Sequence, residues 1–256
     1  MQNQQQFDVS GRKLFFAIPA YDFKVGVKLM GSMVEFARLA PQYGIQFAMG
    51  TISGCSVVSR ARNLLVDDFL QSGCDTLMFI DADMTFDPND IIRLLAFSGN
   101  PVKNIVGGTG VARKKEKTFH LNLDKDEDGN LMMDAMGLAR AKQMGTGFMM
   151  VQRQVFETLI ERHPEWRFHD VASGRTIYSL FDFKSTPEGY IGEDYNFCDR
   201  ARAEGFQVWV DPTIKLGHMG VIEYEGAFGE DYLYPMIQAA QQREEDEAEP
   251  LRVAYG

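Results

Sequence analysis

The sequence predicts an α/β fold, with a mostly parallel central sheet flanked by helices and a small antiparallel hairpin region. Over the first 110 residues, short apolar segments alternate with amphipathic segments that carry helix-start and helix-stop signals. The segment 76–80 is nearly all apolar and is bounded by turn residues, which is typical of a strand buried on both faces of such a sheet. Together these patterns predict a Rossmann-like order of strands and helices.

In the first half of the chain, β-branched and aromatic residues cluster in four segments. Strands are therefore predicted at residues 14–18, 45–49, 76–80 and 105–108. Helices are predicted between them over residues 25–40, from Ser59 to near Gly73, and from Asp87 onward. The third helix has the clearest start, because Asp87 is a good N-cap and Pro88 suits the first helical position.

The second half of the chain is less regular. Strands are predicted at residues 145–151 and 206–210, and helices at 155–162 and 192–205. The acidic segment 124–130 is expected to form a turn inside a hairpin, since it lacks the glutamate that completes a calcium loop. Residues 163–191 are turn-rich and aromatic, and loops of that length are often functional lids.

A chain of 256 residues can bury a full core in one domain, which we place at residues 12–240. The expected flanks are an N-terminal tail over 1–11 and an acidic tail over 241–256. The net charge of −10 argues against a general nucleic-acid coat. The basic run 113–117 is the exception, and is interpreted as either a solvated loop or a contact for an anionic acceptor.

The expected location is cytoplasmic. The three cysteines are odd in number and follow no metal-binding spacing, as is common in a reducing compartment. The N-terminus resembles no signal peptide, and no run of about 18 apolar residues is present to span a membrane.

Two carboxylates follow the strand at 76–80. Asp81 and Asp83 should lie at its carboxyl end, where open α/β sheets bind their ligands. Residues two apart in an extended segment point the same way, so both side chains can converge on one cation. The competing interpretation is a pair of solvated loop aspartates.

Several separate motifs bear on that choice. They are Pro19-Ala20-Tyr21, Ala61-Arg62-Asn63, Asp81-Ala82-Asp83, Gly192-Glu193-Asp194 and the downstream His218. In this order and spacing the chain resembles glycosyltransferases of the GT-A fold, in particular those similar to family 2, over roughly residues 12 to 220. The resemblance implies a GT-A domain that uses a nucleotide-diphosphate sugar donor and a divalent metal, Mn²⁺ or Mg²⁺.

The resemblance also implies roles for individual residues. Asp81, Asp83 and His218 would hold the metal, with Asp83 as the principal ligand and Asp81 either nearer the ribose or bound through water. Donor contacts would come from Pro19, Ala20, Tyr21, Arg62, Asp81 and Ala82. Arg62 would meet the diphosphate or the nucleobase carbonyls, whereas Tyr21 would line the nucleobase pocket or cap the core.

For catalysis, the resemblance implies that Asp194 is the general base and that Glu193 orients acceptor hydroxyls. An acid in the first turn of a helix is expected to be ionised at neutral pH. A base in this position favours inversion, while a retaining mechanism stays open. The acceptor is an unknown hydroxyl of a glycan, a lipid-linked glycan or a modified nucleic acid. The chain lacks the usual arginine-rich acceptor stretch after Gly147, and 163–191 matches no part of the family.

Three other functions compete with this one. A haloacid-dehalogenase-like phosphatase would use Asp81 as nucleophile and Asp83 as acid/base, but that motif usually opens the chain. A sugar-phosphate nucleotidyltransferase normally has a glycine-rich basic loop after the first strand, which is not found here. A non-catalytic nucleotide- or glycan-binding module would keep the same fold.

Overall fold

The computed structural model describes residues 8–111, 118–187, 189–220 and 223–243. Its helices are α1 (Val27–Leu39), α2 (Val58–Ser72), α3 (Pro88–Phe97), α4 (Arg153–Arg162) and α5 (Glu193–Ala203). Its strands are β1 (Lys13–Ala20), β2 (Gln46–Ser53), β3 (Thr76–Ile80), β4 (Met84–Thr85), β5 (Ile105–Gly107), β6 (Leu121–Leu123), β7 (Ala139–Met144), β8 (Phe148–Gln152), β9 (Arg167–Asp170), β10 (Arg175–Tyr178), β11 (Lys184–Thr186), β12 (Gly189–Ile191), β13 (Val208–Val210), β14 (Lys215–Met219) and β15 (Glu223–Ala227).

The central sheet has eight strands in the order β2-β1-β3-β8-β5-β13-β7-β6. Strands β7 and β8 run against the other six, because β8 is antiparallel to β3 and β5 and β7 is antiparallel to β13 and β6. The sheet is therefore mostly parallel in strand direction, with helices packed on it and short hairpins outside it. This confirms the fold class predicted from the sequence.

Strand β3 is buried on both faces, as its apolar sequence predicts. Leu77 and Phe79 point into one apolar cluster, whereas Met78 and Ile80 point into another on the opposite face. Helix α2 covers the first face with side chains such as Phe69, and α1 and α3 cover the second. Burial of alternate residues in two clusters fixes the register of β3 and so the position of the residues that follow it.

Helix α3 begins as predicted. Asp87 has extended backbone angles, and its carboxylate accepts a hydrogen bond from the backbone N–H of Asn89 at 2.9 Å. We expect Asp87→Ala to lower the free energy of unfolding by about 1 kcal/mol, the usual effect of losing an N-cap. Chemical denaturation measures the change. Asp87→Ser also removes the charge but keeps a capping oxygen, so equal losses in the two variants would contradict a capping role.

The prediction of an irregular loop over 163–191 is wrong in part. A 3₁₀ turn at Pro164–Trp166 precedes two antiparallel hairpins, β9–β10 and β11–β12. Their strands are only three or four residues long, so the period-two signal is too short to detect.

Two predicted features fall partly or wholly beyond what the structure describes. The basic run 113–117 lies outside the described residues. In the acidic tail, residues 241–243 are helical and the remainder also lies outside. Among the helices that are described, none combines the length and apolar character needed to cross a bilayer.

Candidate active site

A cavity of about 760 Å³ lies at the carboxyl ends of β1 and β3. Parallel strands of an α/β sheet place their ligand sites at this edge. The predicted donor and metal residues all line this cavity: Pro19, Ala20, Tyr21, Arg62, Asp81, Ala82, Asp83 and His218. Residues from both halves of the chain are thus brought to one cavity.

The position of Asp83 beside His218 follows from strand pairing. The chain turns after β3, and β4 then pairs with β14 so that His218 lies opposite Met84. The backbone N–H of Met219 donates to the Asp83 carbonyl at 2.8 Å, which extends the same pairing. As a result, the Nε2 atom of His218 lies 3.3 Å from Oδ1 of Asp83. His218 is therefore held by a strand, β14, and its position is fixed by strand pairing.

The Asp83–His218 pair fits a divalent cation. Nδ1 of His218 lies 3.2 Å from the Val111 carbonyl, an acceptor to which it can only donate. In the neutral imidazole this leaves the lone pair on Nε2, the orientation that second-sphere hydrogen bonds give to metal-binding histidines. A lone pair facing a carboxylate oxygen needs a proton or a cation between them. Adjacent ligands of an octahedral ion lie about 3 Å apart, close to the observed separation.

Asp81 lines the same cavity as Asp83 and His218 but makes a contact of its own. Within the ranges that the structure covers, no three His, Cys, Asp or Glu side chains form a metal-binding group. Oδ1 of Asp81 instead lies 3.3 Å from both Nη atoms of Arg62. The predicted role of Asp81 at the metal, directly or through water, therefore stays a prediction.

Arg62 is buried and held between two carboxylates. Its Nε donates to Oε1 of Glu193 at 3.2 Å, and its guanidinium lies 5.6 Å from the Phe79 ring centroid. Burial alone would lower the pKa of Arg62, but Asp81 and Glu193 outweigh it and raise the pKa, so the cation is retained. The pairing ties α2, the end of β3 and the start of α5 together. A direct contact between Arg62 and the donor remains a prediction.

Asp194 lines a second, smaller space of about 230 Å³ that shares Arg62, Asp81 and His218 with the large cavity. Burial and the neighbouring Glu193 raise the pKa of Asp194 from 3.8 to about 6. Desolvation thus opposes the stabilisation of the anion that is expected at a helix start. The group is still about nine-tenths ionised at pH 7.

Glu193 lines neither space. It is buried against Arg62, so the structure gives it a positioning contact and leaves its predicted role toward acceptor hydroxyls a prediction. Tyr21 is 65% exposed at the rim, which rules out the alternative that it caps the core.

Several residues of the site were not named from the sequence, and two of them are polar residues that the later argument uses. His120 lines both spaces, and Thr146 lines the smaller one. Thr146 lies between Gly145 and Gly147, directly before the buried strand β8. The sequence signal for Thr146 was its position between two glycines at the start of a predicted strand. His120 follows a basic run, and no sequence pattern identified it as a site residue.

The fold and the cavity define an α/β protein whose ligand site lies at the carboxyl ends of its strands and is lined by aspartates. No protein-family model matches the sequence, and a search of curated proteins finds no match. Solved structures do match. The crystal structure of A197 from STIV is similar over 82% of this chain and 86% of that one, at 20% identity and a TM-score of 0.51. At this identity, the similarity shows a shared fold.

A second match is the crystal structure of GalNAc-T7 with UDP, GalNAc and Mn²⁺. It covers 82% of this chain but 44% of that one, at 11% identity and a TM-score of 0.44. That score is too low to establish a common fold.

Proposed function

We propose that this protein is a metal-dependent GT-A glycosyltransferase that transfers one sugar from a nucleotide-diphosphate sugar to an acceptor hydroxyl. The observation that carries the proposal is a pair of adjacent spaces that share lining residues, one lined by the Asp83–His218 pair and the other by Asp194. This chemistry needs a site for the diphosphate and a base for the acceptor, and two adjacent spaces lined by these residues support the proposal.

The large cavity suits the nucleotide diphosphate. Its volume of about 760 Å³ lies within the roughly 300–1,000 Å³ typical of small-molecule sites. Asp83 and His218 would hold Mn²⁺ or Mg²⁺, for which carboxylate and imidazole are suitable ligands. When bound, such a cation supplies charge neutralisation for the diphosphate leaving group. The exposed ring of Tyr21 is available at the rim to stack on a nucleobase.

Asp194 is the proposed general base. Its carboxylate takes the proton from the acceptor hydroxyl while that oxygen bonds to the anomeric carbon. The bond from that carbon to the phosphate oxygen breaks, and the nucleoside diphosphate leaves with the electron pair. Attack opposite the leaving group inverts the anomeric configuration. The raised pKa of about 6 suits this role, since a base works best near the ambient pH.

Arg62 and Glu193 act as positioning residues. Glu193 opens α5, so its ion pair with buried Arg62 fixes the helix start on which Asp194 sits. Asp81 forms a second ion pair with the same guanidinium, through its Nη atoms. These contacts set the distance between the base and the diphosphate site before any ligand binds.

Thermal unfolding with a panel of nucleotide sugars, each with and without Mn²⁺, tests the proposal. A ligand of the native state raises the melting temperature, by an amount equivalent to about 2.7 kcal/mol at a hundred times its Kd. We expect at least one nucleotide sugar to stabilise the protein only with Mn²⁺, and to release nucleoside diphosphate slowly. Release of inorganic phosphate from phosphomonoesters, without nucleotide-sugar binding, would establish the phosphatase instead. Binding with no turnover toward any acceptor or water would indicate a binding module.

A further inference from the structure

The smaller space is walled by backbone as much as by side chains. Thr146 and Asp194 line it, and so do four glycines: Gly108, Gly110, Gly145 and Gly147. We call it the glycine-walled chamber. A Cβ at Gly147 would lie 3.1 Å from Oδ2 of Asp81, and one at Gly145 would lie 3.7 Å from Oδ2 of Asp194. A side chain at either position would take up room that a ligand next to these carboxylates needs.

Thr146 supplies an independent sign of a ligand. Its side chain is buried at 2% exposure, and its Oγ1 makes no hydrogen bond to any residue that the structure describes. A buried hydroxyl without a partner destabilises the folded state, so such groups are rare. The neighbouring Thr109 shows the usual arrangement, since its hydroxyl donates to the His120 carbonyl.

The charges around the chamber favour a neutral ligand. Asp81 and Asp194 both line it, and each repels a ligand carboxylate. Arg62 also lines it, but its positive charge is already paired with Glu193 and Asp81, which accept hydrogen bonds from its Nε and both Nη atoms. Carboxylates accept hydrogen bonds from hydroxyl groups, so a neutral polyol is the chemistry that this wall can bind.

The size of the chamber favours a single ring. Its volume of about 230 Å³ is below the roughly 300–1,000 Å³ of sites for drug-sized ligands. It also lies between His218, at the proposed diphosphate site, and the proposed base Asp194. The transferred sugar must occupy that position, because its anomeric carbon joins the diphosphate and is attacked by the activated acceptor.

We infer that the glycine-walled chamber binds the transferred sugar, and that Thr146 selects a neutral, unextended hexose by hydrogen-bonding one of its hydroxyls. This inference rests on the proposed function and names its substrate class. A sugar carboxylate is disfavoured by the two aspartates, and a bulky substituent such as an N-acetyl group is disfavoured by the volume of about 230 Å³. A site built to hydrogen-bond a ligand hydroxyl discriminates strongly, since mismatch leaves its own polar group unpaired.

The test compares each nucleotide sugar with its nucleoside diphosphate, using calorimetric binding in Mn²⁺. The probes are UDP-glucose, UDP-galactose, GDP-mannose, UDP-N-acetylglucosamine and UDP-glucuronate, against UDP and GDP. In the wild-type protein a neutral hexose donor should bind about tenfold or more tightly than its diphosphate. We call this gain in affinity over the diphosphate the increment. Thr146→Val should reduce the increment about tenfold, the usual contribution of one hydrogen bond, and should leave diphosphate binding unchanged.

Two further variants keep the result interpretable. Thr146→Ser retains the hydroxyl and should restore the increment, which a purely structural role for Thr146 would not require. Gly145→Ala adds a methyl group in ordinary contact with Asp194 and His120, so it should fold and weaken sugar binding.

The outcomes separate this inference from the proposed function. An increment that Thr146→Val does not change would overturn the inference while leaving the transferase intact, and so would tighter binding of UDP-glucuronate than of UDP-glucose. A hydroxyl-dependent increment in a protein that turns over no donor would support the chamber and refute the transferase. A wild-type protein that shows no increment with any probe would overturn the inference as well.

Discussion

Asp83→Ala is expected to lose nucleotide-sugar turnover entirely while unfolding at nearly the temperature of the wild-type protein. Asp83 contributes charge to the site and little packing to the core, since its side chain is 38% exposed and lies beside the imidazole of His218. Removing it leaves a single imidazole where a carboxylate–imidazole pair stood. Loss of charge stabilisation at a leaving group typically slows catalysis by several powers of ten.

The measurement combines donor turnover with thermal unfolding. Wild-type protein should be stabilised by a nucleoside diphosphate with Mn²⁺, and the variant should lose this stabilisation. Asp128→Ala is the matched control, because it removes an exposed aspartate from the turn after β6. Metal-dependent turnover retained by Asp83→Ala would remove Asp83 from the metal site. A large drop in its melting temperature would show that Asp83 supports the fold instead.

Local signals in the sequence were sufficient for much of the fold. Asp87 can cap a helix and Pro88 suits the first helical position, and the structure has Asp87 as the N-cap of α3. Gly73 ends α2 with a positive φ of 70°, as a glycine after the last helical turn predicts. The segment 76–80 identifies a strand because its composition suits burial on both faces. Each of these depends on neighbours in sequence, which is why the sequence shows them.

The geometry of the site depends on long-range pairing and was less predictable. That Asp83 meets His218 follows from the register of β14 on β4, and two strands so distant in sequence carry no local sign of their register. Arg62 lines the large cavity, and its contact with the donor stays a prediction, but the sequence did not show that Asp81 and Glu193 hold it buried between them. An arginine near the start of a helix is usually exposed. Only the approach of α5 from the far end of the chain makes this one a buried ion pair.

Asp194→Asn is expected to lower turnover by at least about 100-fold while donor binding is kept, as for loss of a general base. The amide has nearly the shape of the carboxylate and can still accept the hydrogen bond that Asp194 receives from the backbone N–H of Tyr195. It cannot take a proton from an acceptor hydroxyl. Wild-type turnover should rise with pH through about 6, the pKa of Asp194, and the variant should lack this rise.

Stability should respond in the opposite direction. The folded protein holds the Asp194 proton more tightly than the unfolded chain does, since burial raises the pKa from 3.8 to about 6. Between these two values the unfolded state binds fewer protons, so the contribution of this group to stability falls as the pH rises. An asparagine side chain does not titrate, so the Asp194→Asn variant has no such dependence and should gain stability relative to wild type above pH 6.

Asp199→Asn on the same helix is the matched control. Asp199 accepts a hydrogen bond from Gln143 and lines neither the large cavity nor the glycine-walled chamber. It should retain wild-type turnover and the same rise with pH. Melting temperatures measured from pH 4 to pH 8 complete the comparison. A turnover equal to wild type in Asp194→Asn would exclude Asp194 as the base, whereas a loss of both turnover and stability at pH 8 would give it a structural role.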